Sequence, residues 1–256
     1  MRAPSLYVPG RSFVHRADPL TKAAWAFSTA LAGFIVPDWR ATAALLVLNL
    51  TLLGLAGALR RTARLILASA VLVATFFVAQ GLSHPSNAEP LFRVFGLTFY
   101  REGLLVAWVL ALRLWNTIAA IGVLVFTVRP QDLVTALLMR GLSPRAGYAL
   151  VSIIQVLPTL SASVATILDA QRSRGVETEG GLRVRLRALL PMLAPLIMSA
   201  LAAAQDRAVA LEVRGFSRPG PRTILRPVRD MAGAAFWRAV GLGVLVAAVL
   251  WRALGG

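Results

Sequence analysis

The strings AQRSRG, residues 170–175, and ALEVRGF, residues 210–216, close two long and mostly apolar segments of the chain. The first segment covers residues 145–174 and the second covers residues from about 186 to 214, so each ends in Arg-Gly. Glycine is the usual residue just past a helix end, because it takes a left-handed backbone conformation at no steric cost. An arginine there lies at the negative end of the helix dipole and can reach outward. Two long helices with similar arginine-bearing ends are therefore predicted.

The last arginine of each string, Arg174 in the first and Arg214 in the second, precedes a glycine, and the two lie 40 residues apart. An alanine (Ala170, Ala210) precedes each of them by four positions. Ordinary helix capping explains a single Arg-Gly pair. Its repetition favours the hypothesis that both arginines contact a partner. Both interpretations remain open from these residues alone.

The composition indicates a membrane protein with basic loops. The 256 residues are 57% hydrophobic and carry a formal charge of +16, with a mean hydropathy of +0.71. An ordinary soluble domain is less apolar than this. The chain has no cysteine, which excludes disulfides, thiol nucleophiles and cysteine metal sites. No secretory signal is recognisable near the N-terminus, because charged residues interrupt its first 22 positions.

Five apolar segments are predicted to cross the bilayer, since a spanning helix needs about 20 largely apolar residues. Three of them are uncharged, and the first reaches this length if it begins at Pro19, with Lys22 reaching the interface. The five segments are Ala23–Pro37, Ala41–Leu59, Leu65–Ser83, Gly103–Val128, which contains Arg113, and Met231–Trp251, which contains Arg238.

The arginines predict the orientation of these spans. Fourteen arginines lie in the segment from Arg129 to Arg229, and Arg60, Arg61 and Arg64 lie in the connection after the second span. Basic loops stay on the cytoplasmic side of a membrane. The N-terminus is therefore expected in the cytoplasm and the C-terminus outside. The charge is explained by topology, and nucleic acid is not an expected partner because no basic patch interleaved with aromatic residues occurs.

Residues 129–230 are predicted to form a cytoplasmic domain between membrane regions 1–128 and 231–256. A short helix should start at Pro130 and end near Arg140-Gly141. Ser143-Pro144 should cap the first long helix, which Pro158 should kink, and residues 176–181 should turn toward the second. The alternative is that the two long segments form a further pair of spans, because their apolar parts approach spanning length.

Enzymatic chemistry is not predicted. The two histidines, His15 and His84, fall on opposite sides of the expected membrane, and the few acidic residues lie beside arginines. No phosphate-binding loop or metal-binding pattern is present. Arg113, with Asn116 on the same helical face, reads equally as structural pairing or as a functional group. The outer connection from His84 to Glu102 is expected to be a loop with a short turn or interfacial segment.

Three stretches together resemble the transmembrane T component of energy-coupling factor (ECF) transporters, a family that includes the cobalt-type CbiQ proteins. The first is YVPGRSFVHRADPLTK, residues 7–22, and the second is LRLWNTIAAIGVLVFTVRPQDLVTALLMRGLSP, residues 112–144. The third is the pair AQRSRG and ALEVRGF, which resembles the two Ala-Arg-Gly coupling motifs of that family. The ordered set covers nearly the whole chain.

The resemblance implies an all-α polytopic membrane protein, with about five spans and a coupling domain of one short and two long crossing helices. It implies a scaffold for the import of a vitamin or metal ion by prokaryotes. Its partners would be two cytosolic ABC ATPases, which hydrolyse ATP, and a small substrate-binding (S) membrane subunit, with no cofactor or metal on this chain. The two coupling motifs would each dock on one ATPase.

The resemblance also assigns residues. The ATPase-coupling residues would be Ser173, Arg174, Gly175, Val213, Arg214 and Gly215, supported by Ala170, Arg172, Ala210 and Glu212. Serine and valine stand at 173 and 213, where alanine is usual in the family. The face for the substrate-binding subunit would include Ile153, Leu157, Leu160, Leu196 and Leu201. Asp18, Pro19, Thr21 and Lys22 match an N-terminal motif that is expected to have a structural role.

Three other functions are weighed against this interpretation. A permease of a conventional ABC importer would need a single short coupling helix, and none is visible in the sequence. An integral-membrane enzyme would use Arg113 and the loop acids, and it should work alone. A purely structural membrane scaffold would differ only in the absence of uptake.

Overall fold

The computed structural model describes residues 7–10, 12–85, 88–94, 97–175, 181–218, 220 and 234–254, with the backbone alone at 94 and 182–192. The chain forms two compact units. The first unit comprises residues 1–140 and 228–256, and the second comprises 141–227. The second unit therefore begins 12 residues after the start of the domain expected at 129, and the short helix expected at Pro130 groups with the first unit.

Ten helices and one hairpin make up the described part of the chain, which confirms the predicted all-α membrane class. The helices are α1 (Phe13–Arg16), α2 (Pro19–Ile35), α3 (Trp39–Leu55), α4 (Leu59–Ala68), α5 (Ala70–Ser83), α6 (Arg101–Thr127), α7 (Pro130–Leu138), α8 (Pro144–Ser173), α9 (Leu182–Val213) and α10 (Ala234–Ala253). The strands are β1 (Pro90–Val94) and β2 (Leu97–Tyr100).

Length and composition identify the helices that can cross a membrane. Among the described residues, α6, α8 and α10 are each long and apolar enough, and the bent pair of α4 and α5 makes a fourth candidate. The helices α2 and α3 have 17 residues each, so each is about 26 Å long. Five of these elements correspond to the five predicted spans. The sixth, α8, passes the same test although it was predicted to lie in the cytoplasmic domain.

Helix α6 lies at the centre of the first unit, where it contacts α2, α3 and α5, and α10 packs on α2. Its apolar face contributes Val123 and Phe126 to a core that includes the fully buried Leu53 of α3. Polar side chains join the helices beside this core. Asn116 of α6 donates to the Thr29 carbonyl (2.9 Å) and accepts from Asn49 (3.1 Å).

Two helix boundaries differ from the prediction because local backbone geometry interrupts the apolar runs. The second span ends at Leu55 rather than Leu59, since Gly57 takes a positive φ of 69° that turns the chain. The third span bends by 42° between α4 and α5. The hydroxyl of Ser69 at this bend donates to the Ile66 carbonyl (2.6 Å), an interaction that often bends helices.

The connection from His84 to Glu102 contains two paired strands, and the expectation of a loop with a short turn was wrong. Strands β1 and β2 pair antiparallel, with Arg93 opposite Thr98 and the rings of Phe92 and Phe99 stacked 5.1 Å apart. The carboxylate of Glu102 accepts from the Glu89 backbone N–H (3.2 Å), which ties the start of the hairpin to the start of α6. Residues 95–96, between the two strands, lie outside the described residues.

The second unit contains the two long helices, and α8 contacts α9. The predicted cap of α8 is confirmed, because the Ser143 hydroxyl accepts from the Ala146 backbone N–H (3.3 Å). Pro158 lies inside α8, which continues as a helix on both sides of it. Helix α9 begins four residues earlier than predicted, at Leu182. The turn predicted at 176–181 falls mostly outside the described residues.

Candidate coupling site

Helix α8 ends at the first arginine motif. Arg174 is the C-terminal cap residue, with φ −89° and ψ 7°, and Gly175 follows with a positive φ of 83°. The backbone N–H of Gly175 donates to the Arg172 carbonyl (3.0 Å), which satisfies one of the free carbonyls at the helix end. The predicted left-handed glycine after the arginine is therefore confirmed.

Helix α9 ends in the same way at the second arginine motif. Arg214 is the cap residue, and Gly215 has a positive φ of 74°. Two backbone hydrogen bonds close this end. One runs from Gly215 N–H to the Glu212 carbonyl (2.8 Å) and the other from Phe216 N–H to the Leu211 carbonyl (2.9 Å). This pair of bonds is the Schellman arrangement, which fixes the direction in which the cap residue leaves the helix.

The two arginines are exposed and available to a partner. Within the described residues, neither Arg174 nor Arg214 forms an ion pair. The neighbouring charges are engaged locally, because Arg172 pairs with Asp169 (3.7 Å) and the Glu212 carboxylate accepts from the Ser217 hydroxyl. The remaining predicted members of the motifs and their supports are also exposed: Ala170, Ser173, Ala210 and Val213.

A ring contact fixes the relative placement of the two motifs within the second unit. The rings of Tyr148 and Phe216 lie 5.6 Å apart, so the start of α8 lies beside the end of α9. Arg174 follows Tyr148 by 26 residues along α8. At about 1.5 Å per residue, this separates the two arginine motifs by about 40 Å. They are thus at opposite ends of the length of α8.

The predicted apolar contact face is largely open. Residues at i, i+4 and i+7 share one face of a helix, and Ile153 and Leu157 are 65% and 70% exposed. Leu160 on the same face is half-buried. On α9, Leu201 is exposed and Leu196 is half-buried, and the two are about 140° apart around the helix.

Two further exposed apolar residues lie between Leu196 and Leu201, within the predicted α9 face but not named individually in the prediction. Ile197, at i−4 from Leu201, is 60% exposed and shares its face. Met198, the next residue, is 65% exposed. The helical spacing of Ile197 and Leu201 was the signal that could have found this pair.

The N-terminal motif lies in the first unit, away from the arginine motifs in sequence. Asp18 is buried and caps α2, where its carboxylate accepts from the Thr21 backbone N–H (3.3 Å). The Lys22 ammonium donates to the carbonyls of His15 (3.3 Å) and Thr127 (3.1 Å), which ties α2 to α1 and to the end of α6. Pro19 occupies the first position of α2. These contacts are consistent with the expected structural role.

Two arginines that sequence analysis did not assign also reach Asp18. Arg238 of α10 lies 3.0 Å from the Asp18 carboxylate and donates to the Thr21 hydroxyl (2.9 Å). Arg140, just after α7, lies 3.6 Å from the same carboxylate oxygen. The signal for Arg238 was its presence as a lone charge inside an apolar segment, since such charges usually pair within the protein.

Arg113 forms a hydrogen bond within the first unit. Its guanidinium donates to the Val36 carbonyl at the end of α2 (3.2 Å), while Asn116 belongs to the buried hydrogen-bond network of α3 and α6. The buried Nε of Arg113 has no hydrogen-bond partner within the part of the chain that the structure describes. Across that same part, no group of three or more His, Asp or Glu side chains could hold a metal ion.

Comparison with known proteins places this arrangement in a family. The sequence model of CbiQ, described as "Cobalt transport protein", matches residues 10–224. The chain belongs to the CbiQ family. The match includes both arginine motifs and the N-terminal motif, so the resemblance drawn from those residues is confirmed.

Individual relatives extend the match over nearly the full length. The chain is 34% identical to the energy-coupling factor transporter transmembrane protein EcfT of Thermanaerovibrio acidaminovorans, over 97% of this chain and 96% of the relative. It is 31% identical to EcfT of Exiguobacterium sibiricum over 86% and 87%. It is 28% identical to EcfT of Bacillus subtilis over 97% and 94%. This member of the CbiQ family is therefore a transmembrane T component of an ECF transporter, a multi-pass membrane protein that is a transporter component.

Proposed function

We propose that this T component couples two cytosolic ABC ATPases to a small substrate-binding membrane subunit, and so drives import of a vitamin or metal ion. The single observation that carries the proposal is the matched pair of exposed arginines, Arg174 and Arg214, at two helix ends with the same backbone geometry. One arginine contacts each ATPase subunit.

The separation of the motifs supports a two-site contact. The motifs lie about 40 Å apart along α8, which is the scale of a small domain. One ATPase subunit can therefore occupy each end without overlapping its neighbour. A guanidinium makes several hydrogen bonds in a fixed geometry, and Arg is enriched among the residues that dominate interface energies. Loss of one such contact typically costs about 2 kcal/mol or more.

The exposed apolar residues of α8 and α9 support a second contact on the same unit. Ile153, Leu157 and Leu201 form the proposed face for the substrate-binding subunit. A membrane partner has little hydrophobic drive to associate in lipid, so close packing must supply the affinity. The alanine- and serine-rich stretch 199–204 of α9 permits such an approach.

The proposed orientation places both motifs in the cytoplasm. The fourteen arginines between 129 and 229 put this segment, with the N-terminus, on the cytoplasmic side of a prokaryotic cell membrane, and the C-terminus outside. The segment from 129 to 230 acts as the coupling domain between membrane regions 1–128 and 231–256. Helix α8 then lies at the membrane face rather than across it.

Affinity purification from the native host tests the coupling proposal. Tagged wild-type protein should retrieve ABC ATPase subunits, identified and quantified by mass spectrometry, and the complex should hydrolyse ATP. Arg174→Ala combined with Arg214→Ala should lose the ATPases, whereas each single variant should lose part of them. The matched control is Arg145→Ala with Arg207→Ala, which removes the same charge from exposed positions on the same two helices.

Retention of the ATPases by the double Arg174/Arg214 variant, at the level of the control, would disprove the coupling assignment. A conventional permease is tested by the same purification, because it would bind ATPases without a separate substrate-binding subunit. An enzyme would show activity in the absence of any copurified subunit.

A further inference from the structure

The carboxylate of Asp18 contacts one arginine directly before the second unit and another in α10, the helix that follows it. The second unit covers residues 141–227, so the chain enters it directly after Arg140 and returns from it at Val228. Arg140 lies 3.6 Å from the Asp18 carboxylate, and Arg238, ten residues past the return point, lies 3.0 Å from it. Both contacts use the same oxygen, Oδ2.

This set of contacts, the Asp18 cluster (Asp18, Thr21, Arg140 and Arg238), is a built site rather than a surface ion pair. The Asp18 side chain is only 2% exposed. Arg238 also donates to the Thr21 hydroxyl, which in turn donates to Asp18 (3.4 Å). A buried carboxylate loses its hydration and needs charged and hydrogen-bonding partners in its place. The two arginines supply the charge, and the α2 cap supplies the N–H donor.

Gly141, the residue after Arg140, has a backbone conformation that allows the chain to change direction. Gly141 has a positive φ of 99°, a conformation that L residues with a side chain rarely adopt, and a Cβ there would meet nothing within 4 Å. Packing around Gly141 therefore does not fix the direction of the chain there. The Arg140 contact is the last described ion pair before the chain enters the second unit.

We infer that Asp18 is a positioning residue for coupling: it ties Arg140, the last residue before the second unit, and Arg238 of α10 to the start of α2. The inference rests on the proposed function, because it explains how motion of the coupling helices reaches the membrane helices. Arg238 belongs to α10, which packs on α2, so its pairing with Asp18 adds a polar contact between these two helices. Through Arg140, displacement of the entering connection acts on the same carboxylate.

The test separates charge from helix capping. Asp18→Asn retains an N-cap residue, since asparagine caps helices as well as aspartate does, but removes the charge that pairs with both arginines. Arg140→Gln removes one partner at a side chain that is 41% exposed, so its folding is secure. The matched control is Asp38→Asn. Asp38 caps α3 through the Arg40 backbone N–H (2.9 Å) and has no ion pair among the described residues.

The readout is the distance between the two units. Because the chain contains no cysteine, Leu59→Cys on α4 and Ala165→Cys on α8 place two spin labels at exposed positions, one in each unit. Pulsed electron–electron double resonance then measures the distribution of distances between the two spin labels, both in the purified complex and in the chain alone. Asp18→Asn and Arg140→Gln should both broaden the distribution, the double variant should be no broader than Asp18→Asn, and Asp38→Asn should match the wild type.

Distributions in the Asp18 and Arg140 variants as narrow as in the wild type would overturn the inference. Equal broadening by Asp38→Asn would overturn it as well, because the effect would then come from helix capping. If Asp18→Asn does not fold, Arg140→Gln alone decides. The distances are readable without the ATPases, so failure of the proposed coupling to ATPases and failure of this inference give different results.

Discussion

The two units of the molecule differ in how far their side chains are buried. In the first unit, Asn49, Asn116 and Thr29 are fully buried and bonded to one another or to backbone carbonyls. In α8 of the second unit, by contrast, the buried residues are only Gly147 and Gln171. The first unit therefore buries a hydrogen-bonded polar network beside its apolar core. In the described part of the second unit, most polar and apolar side chains are exposed or half-buried, as expected of a surface whose partners are other subunits.

Paired leucine substitutions should show the largest difference between the units. Leu53→Ala in the fully buried core of the first unit should destabilise the protein by about 2–4 kcal/mol, because it leaves a cavity. Leu157→Ala on α8, where the side chain is 70% exposed, should change stability by less than about 0.5 kcal/mol. Thermal unfolding of the detergent-solubilised chain measures both. Equal destabilisation would contradict the contrast.

Removing one member of the polar network should have an intermediate effect. Asn116→Ala leaves the buried Asn49 amide without its side-chain acceptor and removes the side-chain donor to the Thr29 carbonyl, at a cost of about 1–3 kcal/mol. Thr75→Ala is the control, because its exposed hydroxyl bonds only to the Val71 carbonyl four residues earlier in α5. The same unfolding assay applies, and a control as destabilised as Asn116→Ala would refute the prediction.

A glycine substitution at the second arginine motif should have the smallest effect on stability and a selective effect on assembly. Gly215→Ala forces a side chain into a left-handed conformation, at about 1–2 kcal/mol confined to the end of α9. Gly54→Ala in the last turns of α3 is the control, since its backbone is helical and a Cβ there meets nothing within 4 Å. Hydrogen exchange should rise at residues 211–216 in the first variant only, with fewer ATPases retained. Unchanged exchange there would argue against a cap-fixed arginine.

The sequence predicted those parts of the fold that local chemistry determines. Helix α8 was expected over 145–174 and forms over 144–173, because Ser143 caps one end and Gly175 the other. The left-handed glycines at both motifs were predicted for the same reason. These signals act within a few residues, so they can be read without knowing the fold.

The parts that the sequence did not predict lack a helix-breaking residue or depend on contacts between distant residues. The bend at Ser69 interrupts an apolar run that carries no glycine or proline between residues 59 and 80. The pairing of Asp18 with Arg238 joins positions 220 residues apart, and nothing in either neighbourhood specifies the other. Partner contact by Arg174 and Arg214 stays a prediction, because the geometry of a helix cap exposes a side chain but does not determine which molecule binds it.

The length of α8 has a consequence for how such a transporter can vary. The contact between Tyr148 and Phe216 fixes one motif at the start of this helix, and Arg174 lies at its other end. The number of residues in α8 therefore sets the distance between the two arginines. One added turn would lengthen it by about 5.4 Å, and one added residue would rotate Arg174 by about 100°. Substitutions along α8 leave this spacing unchanged, but insertions and deletions there would misplace one end of the pair.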